Sequence, residues 1–215
     1  MKFLNINLVL LVIFIISGCN YNKFVNTIAK DKNLYVIKTN GKIVQITNTG
    51  KDSEPLISPD KKVVYFIRHI EKLDEFSNEE ANKLAIMQID LNSLKEEKLT
   101  DTIYYEDWNL TSELYEVTGF SLSQDGRYIF FITQKWATSG VLVKLNIQTR
   151  QISEISHGDK FELLKKGKYK DHIIVYRSSI KNNIGRQWSN WLIKINGKEI
   201  KEIGDDNDLS YFKLK

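Results

Sequence analysis

Glu54-Pro-Leu-Ile-Ser-Pro-Asp-Lys-Lys-Val-Val-Tyr-Phe-Ile-Arg68 aligns, residue for residue at an offset of 65, with Gly119-Phe-Ser-Leu-Ser-Gln-Asp-Gly-Arg-Tyr-Ile-Phe-Phe-Ile-Thr133. In each, a short segment enters a Ser-x-Asp turn and leaves as a run of β-branched and aromatic residues, the composition of a strand. Pro59 presets φ for the first turn position, Asp60 and Asp125 are placed to accept hydrogen bonds from their own backbone, and Gly126 supplies a left-handed residue. The pattern predicts a β-hairpin at both places. A weaker third copy spans Phe161 to Ser178, with Lys166-Gly167-Lys168 as its turn and Ile173 to Tyr176 as its second strand.

A second kind of hairpin lies before and between these copies. The segments Leu34 to Ile46, Leu84 to Leu99, Val141 to Ile155 and Trp191 to Ile203 each read as strand, turn, strand, with starts 50, 57 and 50 residues apart. Asn40-Gly41 and Asn196-Gly197 predict two-residue turns, in which both central residues take positive φ. Helical periodicity is nearly absent beyond the first 20 residues, so the chain reads as all-β and built from repeats.

The Ser-Pro-Asp-x-(Lys/Arg) turn followed by an aromatic and β-branched strand, best seen at Ser58 to Ile67 and Ser123 to Ile132, resembles the TolB-like β-propeller repeat. That repeat also occurs in propeller domains attached to some peptidases. The resemblance covers three repeats from about residue 54 to 203. Lys61 stands where the repeat usually has glycine, Gln124 stands where it usually has proline, and the repeats are fewer than in familiar members. It implies a small β-propeller-like domain of about four blades of antiparallel strands; an open or irregular stack of β-sheets is the alternative. With the two hairpins labelled A-B and C-D, the chain reads C-D, then A-B-C-D three times, then a last strand from Leu209 to Leu214. If Phe24 to Ala29 forms a B strand, the two termini share a fourth blade and no sheet edge is left open.

The start of the chain, Met1 to Asn20, has a different character. A nine-residue apolar core, Leu8 to Ile16, follows a start carrying only Lys2 and stops at Ser17-Gly18 before the single cysteine, Cys19. A membrane-crossing helix needs about 20 apolar residues, so this core reads as a signal peptide. Ile16-Ser-Gly-Cys19 resembles the lipobox of bacterial lipoproteins, which implies cleavage before Cys19 and attachment of lipid to it. Durable anchoring takes several acyl chains, which a lipoprotein cysteine carries. The expected organisation is a signal peptide at 1–18, a lipidated cysteine and tether at 19–32 with room for a first strand, and the propeller-like domain at 33–215. Asn20 is not the Asp that typically retains lipoproteins at an inner membrane. The expected location is therefore the cell envelope, at the outer membrane facing the periplasm, or at the outer face of the cytoplasmic membrane in a Gram-positive cell.

Charge and motifs exclude several functions. The 31 Lys and Arg are interspersed with 27 Asp and Glu for a net +4, with no basic helix or arginine-rich tract, so a nucleic-acid partner is not expected. One cysteine allows no internal disulfide. His69, His157 and His172 are isolated, and no His-Glu-x-x-His, paired-cysteine or other zinc spacing occurs. Gly119-Phe-Ser-Leu-Ser123 is not a nucleophile elbow, Asp205-Asp-Asn-Asp208 lacks the spacing of a calcium loop, and there is no glycine-rich phosphate loop. No catalytic residue, metal or other cofactor is implied; Asp74, Glu106 and Asp107 are the carboxylates an enzyme would have to use.

In a propeller the A-B and C-D turns emerge at one face and the B-C and D-A connections at the other. Here the first set is short and the second long: His69 to Lys83, Asp101 to Glu116, Gln134 to Gly140 and Ser178 to Asn190. Binding groups concentrate on loops held by a rigid scaffold. The long set carries Tyr104, Tyr105, Trp108, Trp136, Arg186 and Trp188, residue types that dominate protein–protein binding energy. The plainer reading makes Trp108 and Trp188 caps on blade cores and the loop acids solvated. The functional expectation is a membrane-anchored, non-catalytic lipoprotein that binds another protein through this face, as an envelope scaffold or as an immunity or inhibitor protein. The alternative is a binder of a small ligand or glycan in the propeller mouth.

Overall fold

The Ser-x-Asp turn closes in the same way in both copies. Ser58 Oγ donates to Asp60 Oδ1 (2.6 Å) and accepts from the Val63 amide (3.0 Å). Ser123 Oγ donates to Asp125 Oδ1 (2.7 Å) and accepts from the Tyr128 amide (2.9 Å). In each turn the serine oxygen satisfies a backbone amide while its hydroxyl proton is held by the aspartate.

A computed structural model describes residues 24–72, 82–105, 110–114, 116–136, 139–181 and 185–204. Its strands are β1 (Phe24–Lys30), β2 (Asn33–Lys38), β3 (Ile43–Gln45), β4 (Asp52–Ile57), β5 (Val63–Lys72), β6 (Asn82–Asp90), β7 (Glu96–Thr100), β8 (Thr102–Tyr105), β9 (Leu110–Glu113), β10 (Thr118–Leu122), β11 (Tyr128–Trp136), β12 (Ser139–Asn146), β13 (Ile152–His157), β14 (Lys160–Leu163), β15 (His172–Lys181), β16 (Gly185–Lys194) and β17 (Glu199–Gly204). They form antiparallel sheets in chain order: β1-β2-β3, β4-β5-β6-β7, β10-β11-β12-β13 and β14-β15-β16-β17, with β8-β9 as a separate hairpin. The chain is therefore an all-β, propeller-like succession of four blades. The strand anticipated near Phe24 is β1, and the weak third copy is the β14–β15 hairpin. The segment 209–214, expected to complete the first blade, lies outside the described residues.

Two turn assignments are corrected. Lys38 and Lys42 bracket Thr39-Asn40-Gly41, and Lys194 and Lys198 bracket Ile195-Asn196-Gly197, so these are three-residue loops in which glycine alone is left-handed (φ 79° and 85°). Asn40 and Asn196 instead accept from the amides of Lys42 and Lys198. The two-residue turn with two positive φ values occurs at Asp31-Lys32 (52° and 54°), where no glycine marks it.

The connections differ from expectation as well. In three of the four stretches read as long loops, the described residues at both ends continue the flanking hairpin. The β5–β6 ladder runs out to Lys72 opposite Asn82, β11–β12 to Trp136 opposite Ser139, and β15–β16 to Lys181 opposite Gly185. The fourth contains β8–β9. The paired extensions are largely polar, with only single apolar residues such as Ile70, Trp136, Ile180 and Trp188, so strand composition does not reveal them. The molecule thus has a hairpin end and a turn end, the latter formed by the short A-B and C-D connections.

Alternation along central strands buries both faces. Val64 and Phe66 meet Leu34 and Val36 of the first blade, while Tyr65 and Ile67 meet Ile129 and Phe131 of the third. Phe130 and Ile132 then meet Ile173 and Val175 of the fourth. Ile103 and Leu114, at the root of β8–β9, plug the seam between the second and third blades. A fourth cluster, Leu164, Ile174, Leu192 and Ile203, belongs to the fourth blade; among the described residues nothing from β1–β3 joins it.

Each seam also carries a cation from the second strand of its later blade. Arg68 holds Asp52 through Nε (2.6 Å) and NH2 (3.0 Å) and Glu96 through NH1 (2.5 Å), across the face of Phe66. Arg177 holds Glu199 (2.5 Å) and Ser156 (3.1 Å) above Trp191. In the middle seam the pair is Lys135 to Glu154 (2.7 Å), two residues nearer the hairpin end. Removal from water would raise the Asp52 carboxyl, but hydrogen bonds from Arg68, Thr49 and Thr47, with the charge of Arg68, outweigh that and hold it below the usual range.

Candidate functional site

The hairpin end gathers most of the residues selected from sequence. Tyr104 and Tyr105 lie on β8 opposite Thr111 and Leu110. Trp136 ends β11, and Arg186 sits on β16 opposite Ile180. Trp108 lies outside the described residues, as do Asp74, Glu106, Asp107 and Asp205 to Asp208. The root of β8–β9 is fixed: Leu84 donates its amide to the Leu114 carbonyl (2.6 Å), and Leu114 donates to Asp101 (2.9 Å). The Asp101 carboxylate accepts from Lys98 Nζ (2.7 Å) with Lys83 Nζ at 3.9 Å. The Lys98 hydrogen bond, opposed by partial burial, keeps that carboxyl low. The hairpin therefore projects from a packed and ion-paired base.

Trp188 has a more particular position. It stacks on Tyr176 with ring centroids 5.4 Å apart and planes 19° off parallel, yet remains 43% exposed. Alternation puts it on the same strand face as Leu192, the face of the fourth blade turned away from the third, near the hairpin end. A stacked aromatic that leaves a large surface in water is pre-organised for a contact at small entropic cost.

Among the described residues, clefts open at the turn end that sequence reasoning did not single out. One, of about 320 Å³, is lined from all four blades, with Asn26 and Thr27, Pro55 to Ile57 and Pro59, Ser121 to Gln124, and Lys165. Its walls are tied by the Thr27 hydroxyl to the Pro55 carbonyl (3.3 Å) and by the Gln124 side-chain amide to the Lys165 carbonyl. The other, of about 420 Å³, lies between Ser121 and Phe161 to Lys166. Both are open to solvent; the Ser-x-Asp turns contribute Pro59, Ser123 and Gln124 to the first, whereas the second is framed by the fourth blade's turn, which carries no such motif.

Chemistry at either end is sparse. Among the described residues no three His, Cys, Asp or Glu side chains come together to hold a metal ion. His69 is on β5, His157 ends β13 and His172 begins β15, where its Nδ1 lies 3.0 Å from the Lys170 carbonyl. Asp60, Asp90 and Asp125 all serve turns. The hydrogen bond from Ser58 lowers Asp60, those from Ser93 lower Asp90, and those from Ser123 and Arg127 outweigh burial to lower Asp125. No described helix is long and apolar enough to cross a membrane.

No protein-family model and no curated protein matches this sequence. Solved structures do, and they define the class as β-propeller. TolB from Acinetobacter baumannii is similar with a TM-score of 0.51 and 15% identity over 81% of this chain and 38% of that one. The β-propeller domain of the Trilobed protease from Pyrococcus furiosus, described as having an open velcro topology, is similar at 0.51 and 17% over 83% and 52%. Dipeptidyl peptidase 4 from Porphyromonas gingivalis gives 0.54 and 11% over 84% and 31%. This chain thus spans between about a third and a half of the length of these three structures, and at such identities it is the fold that is shared.

Proposed function

We propose that this chain is a non-catalytic lipoprotein of the cell envelope, held to the membrane through Cys19, that binds another protein through its hairpin end. The domain boundaries follow the sequence: a signal peptide at 1–18, then a lipidated cysteine on a short tether, then the propeller-like domain. The observation that carries the binding role is Trp188, exposed and stacked on Tyr176, at the end where the β8–β9, β11–β12 and β15–β16 hairpins bring Tyr104, Tyr105, Trp136 and Arg186. Trp, Tyr and Arg on a rigid projecting scaffold are the residues expected to anchor a protein interface. An envelope scaffold and an immunity or inhibitor protein both fit this arrangement. In a cell with an outer membrane, Asn20 after Cys19 favours placement there, facing the periplasm; in a Gram-positive cell the place is the outer face of the cytoplasmic membrane.

The test is affinity capture from envelope extract with residues 20–215 as bait, beside a variant carrying Trp108→Ala, Trp136→Ala and Trp188→Ala that retains its far-ultraviolet circular dichroism. A protein held by the parent and lost by the variant supports the reading. Capture of the same proteins by both overturns the assigned surface. Capture by neither favours the second reading, a small ligand or glycan in the turn-end cleft, which the convergence of all four blades on that cleft supports.

A further inference from the structure

The cations that look scattered in sequence are sorted by the fold. The seven short connections that make the turn end, residues 39–42, 58–62, 91–95, 123–127, 147–151, 164–171 and 195–198, carry eleven Lys and Arg against three Asp. Two of those three carboxylates, Asp60 and Asp125, are occupied by their own turns. The fourth blade's turn alone supplies Lys165, Lys166, Lys168 and Lys170, all exposed. At the hairpin end, by contrast, the described connections hold Asp31, Asp101, Glu116 and Asp159 against Lys32 and Lys51.

The chain also enters the domain at the cationic end. Phe24 pairs with Lys38, whose amine lies 5.7 Å from the Phe24 ring centroid, and Lys61 donates to the Val25 carbonyl (2.8 Å). Asn26 and Thr27 share a cleft with Lys165. Cys19 is five residues before Phe24, so covalent geometry keeps their Cα atoms within about 18 Å whatever path the chain takes. The screening length at physiological salt is about 8 Å, so a cationic face tethered this closely falls within the field of a charged bilayer when the tether is folded back, whereas the hairpin end does not.

We propose that the turn end is a docking surface for anionic phospholipid headgroups, which lays this face on the membrane and turns the hairpin end away from it toward the protein partner. The inference rests on Cys19 being the lipid anchor for its orientation, but the headgroup contact itself belongs to the turn lysines. Its chemistry is that of a non-specific polybasic surface: attraction grows with the number of cations and fades as salt is raised.

The experiment is co-sedimentation of the unacylated mature chain, residues 19–215, with phosphatidylcholine vesicles in which phosphatidylglycerol is absent or makes up a third of the lipid. Binding to the anionic vesicles alone, weakened by salt, is expected. The variant Lys165→Glu, Lys166→Glu, Lys168→Glu should lower that partition by at least about 100-fold, since losing three near-surface cations alone accounts for that much and the new carboxylates add repulsion. A control with the same charge change at the opposite end, Lys30→Glu, Lys32→Glu, Lys51→Glu, should bind as the parent does. Equal binding to neutral vesicles, indifference to the turn substitutions, or an equal loss in the control would overturn the proposal. So would equally tight, turn-dependent binding of a soluble oligonucleotide, which would assign the face to nucleic acid. Labelling of the full-length protein in cells with radioactive palmitate, against Cys19→Ser, reads the anchor separately. Label without vesicle preference defeats the docking face, while vesicle preference without label keeps the face and defeats the anchor.

Discussion

The two copies of the repeat, Glu54 to Arg68 and Gly119 to Thr133, fold alike with different residues at the positions thought most demanding. Both have a register skip in the first strand and a left-handed residue after the turn aspartate. In the second copy glycine occupies both left-handed positions, Gly119 (φ 66°) and Gly126 (71°); in the first they are Glu54 (50°) and Lys61 (61°). A Cβ on Gly119 would stand 2.8 Å from Phe161 Cε1, and one on Gly126 would stand 3.0 Å from Pro59 Cδ. Glycine is present where a neighbouring blade fills the space. In the first copy Lys61 instead reaches the Val25 carbonyl. Shape is set by the shared Ser-x-Asp turn and strand pattern, and glycine adjusts how close the next blade comes.

The last position of each copy breaks the likeness furthest. Arg68 holds the fully buried Asp52 carboxylate, whereas Thr133 is a buried neutral residue. Arg68→Met should cost about 3–5 kcal/mol in denaturant unfolding at neutral pH, because it strands Asp52 as a buried charge. The pH dependence checks the cause. In the parent, Asp52 titrates below its unfolded value of about 3.9, so its stabilisation is present above that pH and is lost as pH falls through the folded value. With Arg68 gone, burial dominates and raises the folded value, so protonation favours the folded form. The deficit of the variant should therefore shrink as pH falls toward 4; a deficit that stays constant would show that Asp52 is not its source.

The next test concerns the glycine that the following blade covers. Gly119→Ala combines a left-handed penalty of about 1–2 kcal/mol with overpacking of about 1–3 kcal/mol against Phe161, for a loss of roughly 2–5 kcal/mol. Glu54→Ala, at the same place in the first copy, should stay within about 0.5 kcal/mol, since a side chain is already accepted there and Glu54 is exposed. Similar losses at both would mean that the neighbouring blade does not decide the residue. A smaller effect belongs to the turn itself: Ser58→Ala and Ser123→Ala should each cost about 1 kcal/mol, and the two should match if the turn is one device used twice.

These contrasts bear on what could be read from sequence. The hairpins were legible because turn chemistry and strand composition agree over some fifteen residues in both copies. The third copy was legible only through its second strand, since its turn, 164–171, closes by backbone bonds such as Asp171 to Leu164 in place of the Ser-x-Asp pair. The left-handed turn at Asp31-Lys32 was hidden because nothing in those two residues demands it. The candidate site was legible as a set of residue types but not as a surface. That Trp188 shares a strand face with Leu192, turned away from the third blade, depends on strand parity beyond Ser178, which the polar residues of that stretch do not reveal. The cationic turn end was hidden for a related reason: its cations belong to turns 15 to 33 residues apart in sequence and share an end only because every second connection returns to it.

The smallest effect tests whether the first copy carries strain that its role preserves. Lys61→Gly removes a left-handed side-chain penalty of about 1–2 kcal/mol, offset by the greater backbone freedom of glycine, about 0.5–1 kcal/mol, so stability should rise by roughly 0.5–1 kcal/mol. The gain would come with loss of the Lys61 bond to the Val25 carbonyl, which ties the first strand of the first blade to the turn of the second. Amide hydrogen exchange separates the two effects. Slower exchange through β4 and β5 together with faster exchange at the start of β1 would show that Lys61 trades strain in its own hairpin for a hold on the neighbouring blade. If β1 exchanges no faster, that bond contributes nothing, and the departure from glycine at this turn has no structural return.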